Sequence, residues 1–227
     1  MDLTIEPSKT ALVVVDLQRG IVAMPCGPRS SAEVVSRAAQ MATAMRTAGG
    51  AVVLTRVTPS LDGKDGLRPL TDAPTSAGAG SPPPDWAEIV PEMGVQPGDM
   101  IITKRQWGAF YGTELDLQLR RRGIDTIVLC GIATSIGVES TARDAFERGY
   151  NQVFVEDARA AREADEHLHT ARTLFPRIGR VRSTDDVLAA LKYEFLTLPL
   201  HRPAGPREQR GRSSRPDVDR PLRRTLP

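Results

Sequence analysis

The sequence predicts an α/β fold, a parallel sheet joined by crossover helices, and three observations carry that prediction. Aliphatic and β-branched runs recur at intervals too wide for hairpins, and amphipathic helical segments fill most of the intervals. The stronger runs are also almost wholly apolar, as strands covered on both faces must be.

Six runs read as strands: Ala11 to Asp16, Ala51 to Val57, Met100 to Lys104, Thr126 to Cys130, Val153 to Glu156 and Ile178 to Arg182. Between the first two, Val34, Ala38, Met41 and Met45 recur at helical spacing after Ser30 and Ser31, and Gly49-Gly50 stops the helix. Leu115 and Leu119, ended by Gly123, precede the fourth strand in the same way. Val138, Ala142 and Ala145, ended by Gly149, precede the fifth. Shorter helices fit Glu163 to Leu174 and Thr184 to Leu191. Residues 58 to 97 break this rhythm with Gly and Pro clusters around one short helix near Asp85 to Val90. A stretch of that length reads as plain disorder or as a substrate-covering loop, because open α/β sheets bind ligands beyond the C-terminal strand ends.

The 227 residues, 40% apolar and 26% charged, suit one domain with a core large enough to fold without disulfides or metal. Two cysteines therefore read as the thiols of a cytoplasmic protein. The longest apolar runs fall well short of the roughly 20 residues that span a bilayer, so no membrane association is expected. The net charge of +2 conceals an uneven distribution, because residues 199 to 227 are rich in Arg and Pro while residues 1 to 198 are net acidic. That segment has few large apolar side chains and is expected to be a disordered tail following a domain at 1 to 198. No Walker or G-x-G-x-x-G pattern occurs, and no specific nucleic-acid partner is expected.

Three strand ends share one rim of a parallel sheet: Asp16, Lys104 and the turn Gly131-Ile-Ala-Thr-Ser-Ile-Gly137. Lys104 is one of four lysines against 26 arginines, so the chain places its more readily tuned cation here. Asp16 and Lys104 read either as a charge pair suited to proton transfer or as a helix cap and a solvated lysine. The turn leads into a helix, and backbone N–H groups at such a start can hold an anion or a developing oxyanion. Trp107, Phe110 and Tyr111 cluster just beyond Lys104, and Trp107 and Phe110 read as pocket wall. Cys130 reads as a small buried hydrophobe and Cys26 as a thiol on the active rim with no evident activating partner. His167 and His169 are two apart on a helix and point away from one another.

Asp16-Leu-Gln18, Thr103-Lys-Arg-Gln-Trp-Gly-Ala-Phe-Tyr-Gly-Thr113 and Gly131-Ile-Ala-Thr-Ser-Ile-Gly-Val-Glu-Ser-Thr-Ala-Arg-Asp-Ala145 together resemble the isochorismatase-like hydrolase superfamily over roughly residues 8 to 192. The resemblance implies a three-layer α/β/α sandwich with a six-stranded, mostly parallel sheet, a small-molecule substrate, no cofactor and a homo-oligomer. It also implies a cis Ile132-Ala133 bond that aims the Ala133 N–H into the site. Most members use an Asp-Lys-Cys triad, to which Asp16 and Lys104 correspond, but the cysteine position is Gly137. True isochorismatases also carry Gly there and hydrolyse a vinyl ether without a covalent intermediate. Their substrate-binding Gln after the second strand is absent from Thr55-Arg-Val-Thr-Pro59, as are the Asp-x-His metal ligands of nicotinamidases, and no metal site is expected. Three readings follow: a hydrolase using Asp16 and Lys104 with Ala133 and Gly137 as the polar floor, a non-catalytic ligand-binding or oligomeric relative, and an amidase using Cys26.

Overall fold

The computed structural model describes residues 3–72 and 82–197. Its sheet contains β1 (Thr10–Val15), β2 (Ala51–Val57), β3 (Met100–Lys104), β4 (Thr126–Ile132), β5 (Asn151–Ala160) and β6 (Arg180–Arg182). The strand order is β3-β2-β1-β4-β5-β6, and every pairing is parallel. The expected mostly parallel, six-stranded sheet is thus wholly parallel. Its helices are α1 (Arg19–Val22), α2 (Ser31–Thr47), α3 (Leu115–Arg121), α4 (Glu139–Glu147), α5 (Ala164–Thr173), α6 (Phe175–Ile178) and α7 (Thr184–Thr197). None among the described residues is long and apolar enough to cross a membrane.

Side-chain alternation along the strands builds two cores. Leu12, Val14, Val52, Leu54, Val128 and Val153 pack with Val34, Ala38, Met41 and Met45 of α2 and with Val187 and Leu191 of α7. Ala11, Val13, Val15, Ile127, Leu129 and Phe154 pack on the other face with Leu115 and Leu119 of α3, Ala142 and Ala145 of α4 and Phe175 of α6. Burying each large aliphatic side chain stabilises the fold by about 1.5–3 kcal/mol, so the two-sided sheet is the main favourable contribution. A capping box starts α2, with the Ser30 hydroxyl accepting from the Glu33 N–H and the Glu33 carboxylate accepting from the Ser30 N–H.

The structure corrects several boundaries. No helix forms over Asp85 to Val90. Trp86 N–H donates to the Pro83 carbonyl and Glu88 N–H to the Asp85 carbonyl, and Ile89 then forms an antiparallel bridge with Gln18. That bridge requires extended backbone, which ends any helical turn. β5 runs to Ala160, beyond Glu156, because its register with β4 shifts between Leu129 and Gly131 and then resumes. β6 starts at Arg180, since Phe175 to Ile178 are helical. Thr134–Val138 form one π-helical turn, so α4 starts at Glu139. The expected tail at 199 to 227, and residues 73–81 of the predicted loop, lie outside the described residues.

Candidate active site

β1 is followed by β2 on one side of the sheet and by β4 on the other, and this reversal opens a crevice at the C-terminal strand ends. Asp16 stands there directly after β1. It is the only non-glycine residue with positive φ among the described residues, at 53°. Aspartate tolerates that conformation better than most residues, and two hydrogen bonds to one partner hold it. The Asp16 N–H donates to Thr55 Oγ1 at 3.2 Å, and the Thr55 hydroxyl donates to Asp16 Oδ1 at 2.7 Å. The other carboxylate oxygen, Oδ2, accepts from Lys104 Nζ at 2.7 Å.

Lys104 ends β3, and its side chain is 1% exposed. Its ammonium also donates to the Trp107 carbonyl at 2.7 Å and the Gln106 carbonyl at 3.2 Å, which gives all three protons an acceptor. The two side chains are therefore buried against one another, and Lys104 is not solvated. Burial pushes the Asp16 carboxyl above the ordinary carboxylate range, while the Lys104 charge and hydrogen bond and the Thr55 hydroxyl act in the opposite direction.

β4 supplies the opposite wall. At Gly131, φ is 118° and a Cβ would lie 2.2 Å from the Val15 carbonyl oxygen, so only glycine lets β4 pass this close to the end of β1. The Ile132–Ala133 bond is cis, as the resemblance implied. The Ala133 carbonyl accepts from the Ile136 and Val138 N–H groups and so closes the π turn. A Cβ built on Gly137 would lie 3.4 Å from Asp16 Oδ2 and 3.5 Å from the Trp107 carbonyl. A side chain at this position would therefore stand beside the charge pair, with its Cβ also 3.0 Å from a Val15 methyl, and this chain places none there.

A cavity of about 260 Å³ brings these groups together, lined by Asp16, Lys104, Ala133 and Gly137 with apolar walls including Ile21 and Trp107. Cys26 and Arg162 also line it, on segments held side by side by paired backbone hydrogen bonds between Gly27 and Ala161. A larger groove of about 920 Å³ runs along α2, but Glu92 is its one titratable lining residue, so it lacks acid–base partners. Phe110 is not part of the cavity wall. It is 3% exposed and packs on Tyr150 at a centroid distance of 5.6 Å, because the Ala109 N–H donates to Thr141 on α4 and turns the chain into the core. No residue of 58–72 or 82–97 lines the cavity. The described part of the expected substrate cover is tied instead to the segment after Asp16, the Trp86 carbonyl accepting from the Gln18 amide, which also donates to the Val57 carbonyl at the end of β2.

Both thiols are placed as well. Cys130 is fully buried and its pKa is pushed up to about 12 by that burial, against the opposing charge of Arg159. The Cys26 sulfur lies 3.2 Å from both the Arg29 carbonyl of its own loop and the hydroxyl of Ser31, the first residue of α2. Among the described residues, no group of three or more His, Cys, Asp or Glu side chains is placed to hold a metal ion.

Sequence reasoning missed Thr55, Arg162 and a buried network behind the π turn. His167 is fully buried. Its Nδ1 lies 2.9 Å from the Thr134 hydroxyl, and its Nε2 lies 3.1 Å from Glu156, which also accepts from Arg159 at 2.8 Å. Burial works to raise the Glu156 carboxyl, but the hydrogen bond from His167 and the neighbouring cations outweigh it and hold the group below its ordinary range. The spacing of His167 and His169 correctly separates the two side chains, but no sequence signal reports that one of them reaches Thr134.

Helices on both faces of a parallel sheet, with an acid–ammonium pair at its switch point and a cis-peptide turn facing it, define a three-layer α/β/α fold with a candidate acid–base site. The isochorismatase domain profile matches residues 10–186, and the chain belongs to the isochorismatase family. It is 54% identical over 190 residues to the isochorismatase family protein YwoC of Bacillus subtilis (strain 168), covering 84% of this chain and 98% of that one. It is 34% identical to the ureidoacrylate amidohydrolase RutB of Variovorax paradoxus (strain S110), covering 69% of this chain and 70% of that protein. The structure of an isochorismatase family protein from Burkholderia thailandensis superposes with a TM-score of 0.78 at 46% identity, covering 83% of this chain and 98% of that one. The chain is thus a hydrolase of this family.

Proposed function

We propose that this hydrolase uses Asp16 as its acid–base group and water as its nucleophile, with hydrolysis of a small enol ether as the reaction that fits best. The observation that carries the reading is the pairing of an intact Asp16–Lys104 site with Gly137, where a nucleophilic side chain would have to stand. Without a thiolate there is no ordinary acyl-enzyme route. Cys26 is the one thiol in the cavity wall, and its polar contacts are with the Arg29 carbonyl and the Ser31 hydroxyl at the start of α2.

The chemistry follows from where the protons are. Neutral Asp16 gives its proton to the terminal vinyl carbon; the π electrons form the new C–H bond and leave an oxocarbenium ion. Water adds to the cationic carbon and returns a proton to the carboxylate. The resulting hemiketal breaks into a carbonyl compound and an alcohol. Lys104 steadies the carboxylate formed in the first step, and the Ala133 and Gly137 backbone forms the polar floor against which the reacting group lies. The apolar walls exclude water from the rest of the substrate. Trp107 flanks the cavity mouth with 63% of its surface exposed. No metal or other cofactor takes part in this scheme, and the setting proposed for it is a cytoplasmic homo-oligomer.

The reading is tested with a panel of enol ethers and amides, each with and without a carboxylate, assayed across pH. Enol ether turnover is expected to fall as pH rises through the raised Asp16 value, because the acid must be protonated to act. Amide turnover that rises with pH would favour the relationship to the amidohydrolase instead. A second expectation concerns thiols. Cys26→Ser should retain turnover, and iodoacetamide should leave that variant unaffected, since its remaining thiol is buried with a pKa near 12. Turnover lost in Cys26→Ser before any alkylation would make Cys26 the nucleophile.

A further inference from the structure

We propose that Thr55 is a positioning residue for Asp16, holding Oδ1 so that the transferable proton resides on Oδ2, the oxygen facing Gly137. The inference rests on the reading of Asp16 as the acid–base group. The direction of the Thr55 hydroxyl is set by the structure. Its oxygen accepts the Asp16 N–H, so its one proton is left to donate to Oδ1. The two bonds close a ring around a buried hydroxyl with no exposed surface. They also hold Asp16 at its positive φ, where the backbone N–H and the carboxylate turn to the same partner.

The other oxygen is asymmetric in a useful way. Lys104 occupies one side of Oδ2, and its remaining two protons are committed to the Gln106 and Trp107 carbonyls. The other side of Oδ2 faces the space where a Gly137 side chain would stand. A proton delivered from there reaches a cavity-bound group, whereas one on Oδ1 would be buried against β2. The charged and titratable groups lining the cavity around Asp16 are Lys104 from β3, Cys26 from the loop before α2 and Arg162 after β5; α1 and the π turn present Ile21, Ile136 and Gly137 there. Thr55 is therefore the neutral group that biases Asp16 without adding charge. It occupies the segment in which the resemblance leads one to look for a substrate-binding Gln, and it faces the carboxylate instead.

The test uses the full chain without substrate, following the Asp16 carboxyl carbon by ¹³C NMR over a pH titration in wild type, Thr55→Val, Thr55→Ala and Thr55→Ser. Removing a hydroxyl that favours the charged form is expected to move the midpoint up by about one pH unit in the Val and Ala variants. Thr55→Ser, which restores the hydroxyl, is expected to stay within about 0.3 unit of wild type by the same reasoning. The Ala variant carries the test if Val does not fold. A folded Val or Ala variant with an unmoved midpoint overturns the proposal, as does a Ser variant that shifts as far as they do. In the enol ether assay the descending pH limb should move with the midpoint, and kcat should fall more than KM changes. A midpoint that moves in a protein with no enol ether turnover upholds the placement of Thr55 and counts against the proposed reaction alone.

Discussion

Asp16→Asn is expected to lower turnover by about two to four orders of magnitude while leaving the protein folded, the usual scale for removing an acid–base group. Asparagine keeps the shape of the side chain and an oxygen for the Lys104 ammonium, so the cavity survives. What it loses is the titrating proton. In wild type that proton is held more tightly in the folded chain than in the unfolded one, because burial raises the Asp16 carboxyl above its ordinary value. The sign follows from linkage: the contribution of Asp16 to stability is full below the ordinary carboxylate value and is lost as pH rises through the raised one. Activity through the acid form declines over the same upper limb. Asp16→Asn should therefore remove both the falling limb of the pH–rate profile and that part of the pH dependence of stability. A variant within about tenfold of wild type at saturating substrate would exclude Asp16 as the acid or base on that scale.

Lys104→Met is expected to cost about 3–5 kcal/mol of stability, the range for breaking a buried pair from one side. For a chain of this size that corresponds to a fall in melting temperature of about 6–20 °C. The reason is in the contacts: the side chains of Lys104 and Asp16 are 1% and 7% exposed, and the ammonium serves Asp16 and two backbone carbonyls at once. Without it, Asp16 relieves its burial by taking up a proton, so the loss should be greater at high pH than at low pH. Pairing Lys104→Met with Asp16→Asn should recover part of the loss, because the uncompensated charge is then gone. A fall of less than about 3 °C at neutral pH, under the scale just given, would mean that the pair contributes little to holding the β1 and β3 ends together.

Much of this architecture is legible in the amino-acid order, and the reasons are local. Two-sided burial makes parallel strands read as continuous aliphatic runs, so Ala11 to Val15 and Thr126 to Cys130 announce themselves without any knowledge of their partners. Helical spacing with a Ser start and a Gly stop does the same for α2. From the strand ends alone, Asp16, Lys104 and the Gly131 to Gly137 turn fall on one rim, since parallel strands must end on the same side. The aromatic cluster shows where this logic stops. Trp107 and Phe110 are three residues apart and look equivalent in the sequence, yet one flanks the cavity and the other is core, because a hydrogen bond from Ala109 to Thr141 turns the chain between them.

Strand identity and the shared rim follow from periodicity and chain direction, which neighbouring residues carry. The order β3-β2-β1-β4-β5-β6 brings Thr55 onto Asp16 across 39 positions and Lys104 onto it across 88, and α5 brings His167 onto Thr134 across 33. Each of these partners is an ordinary residue in its own segment. Their significance arises only when packing removes water, since a hydroxyl, an ammonium and a carboxylate that are unremarkable in solvent must find one another once buried.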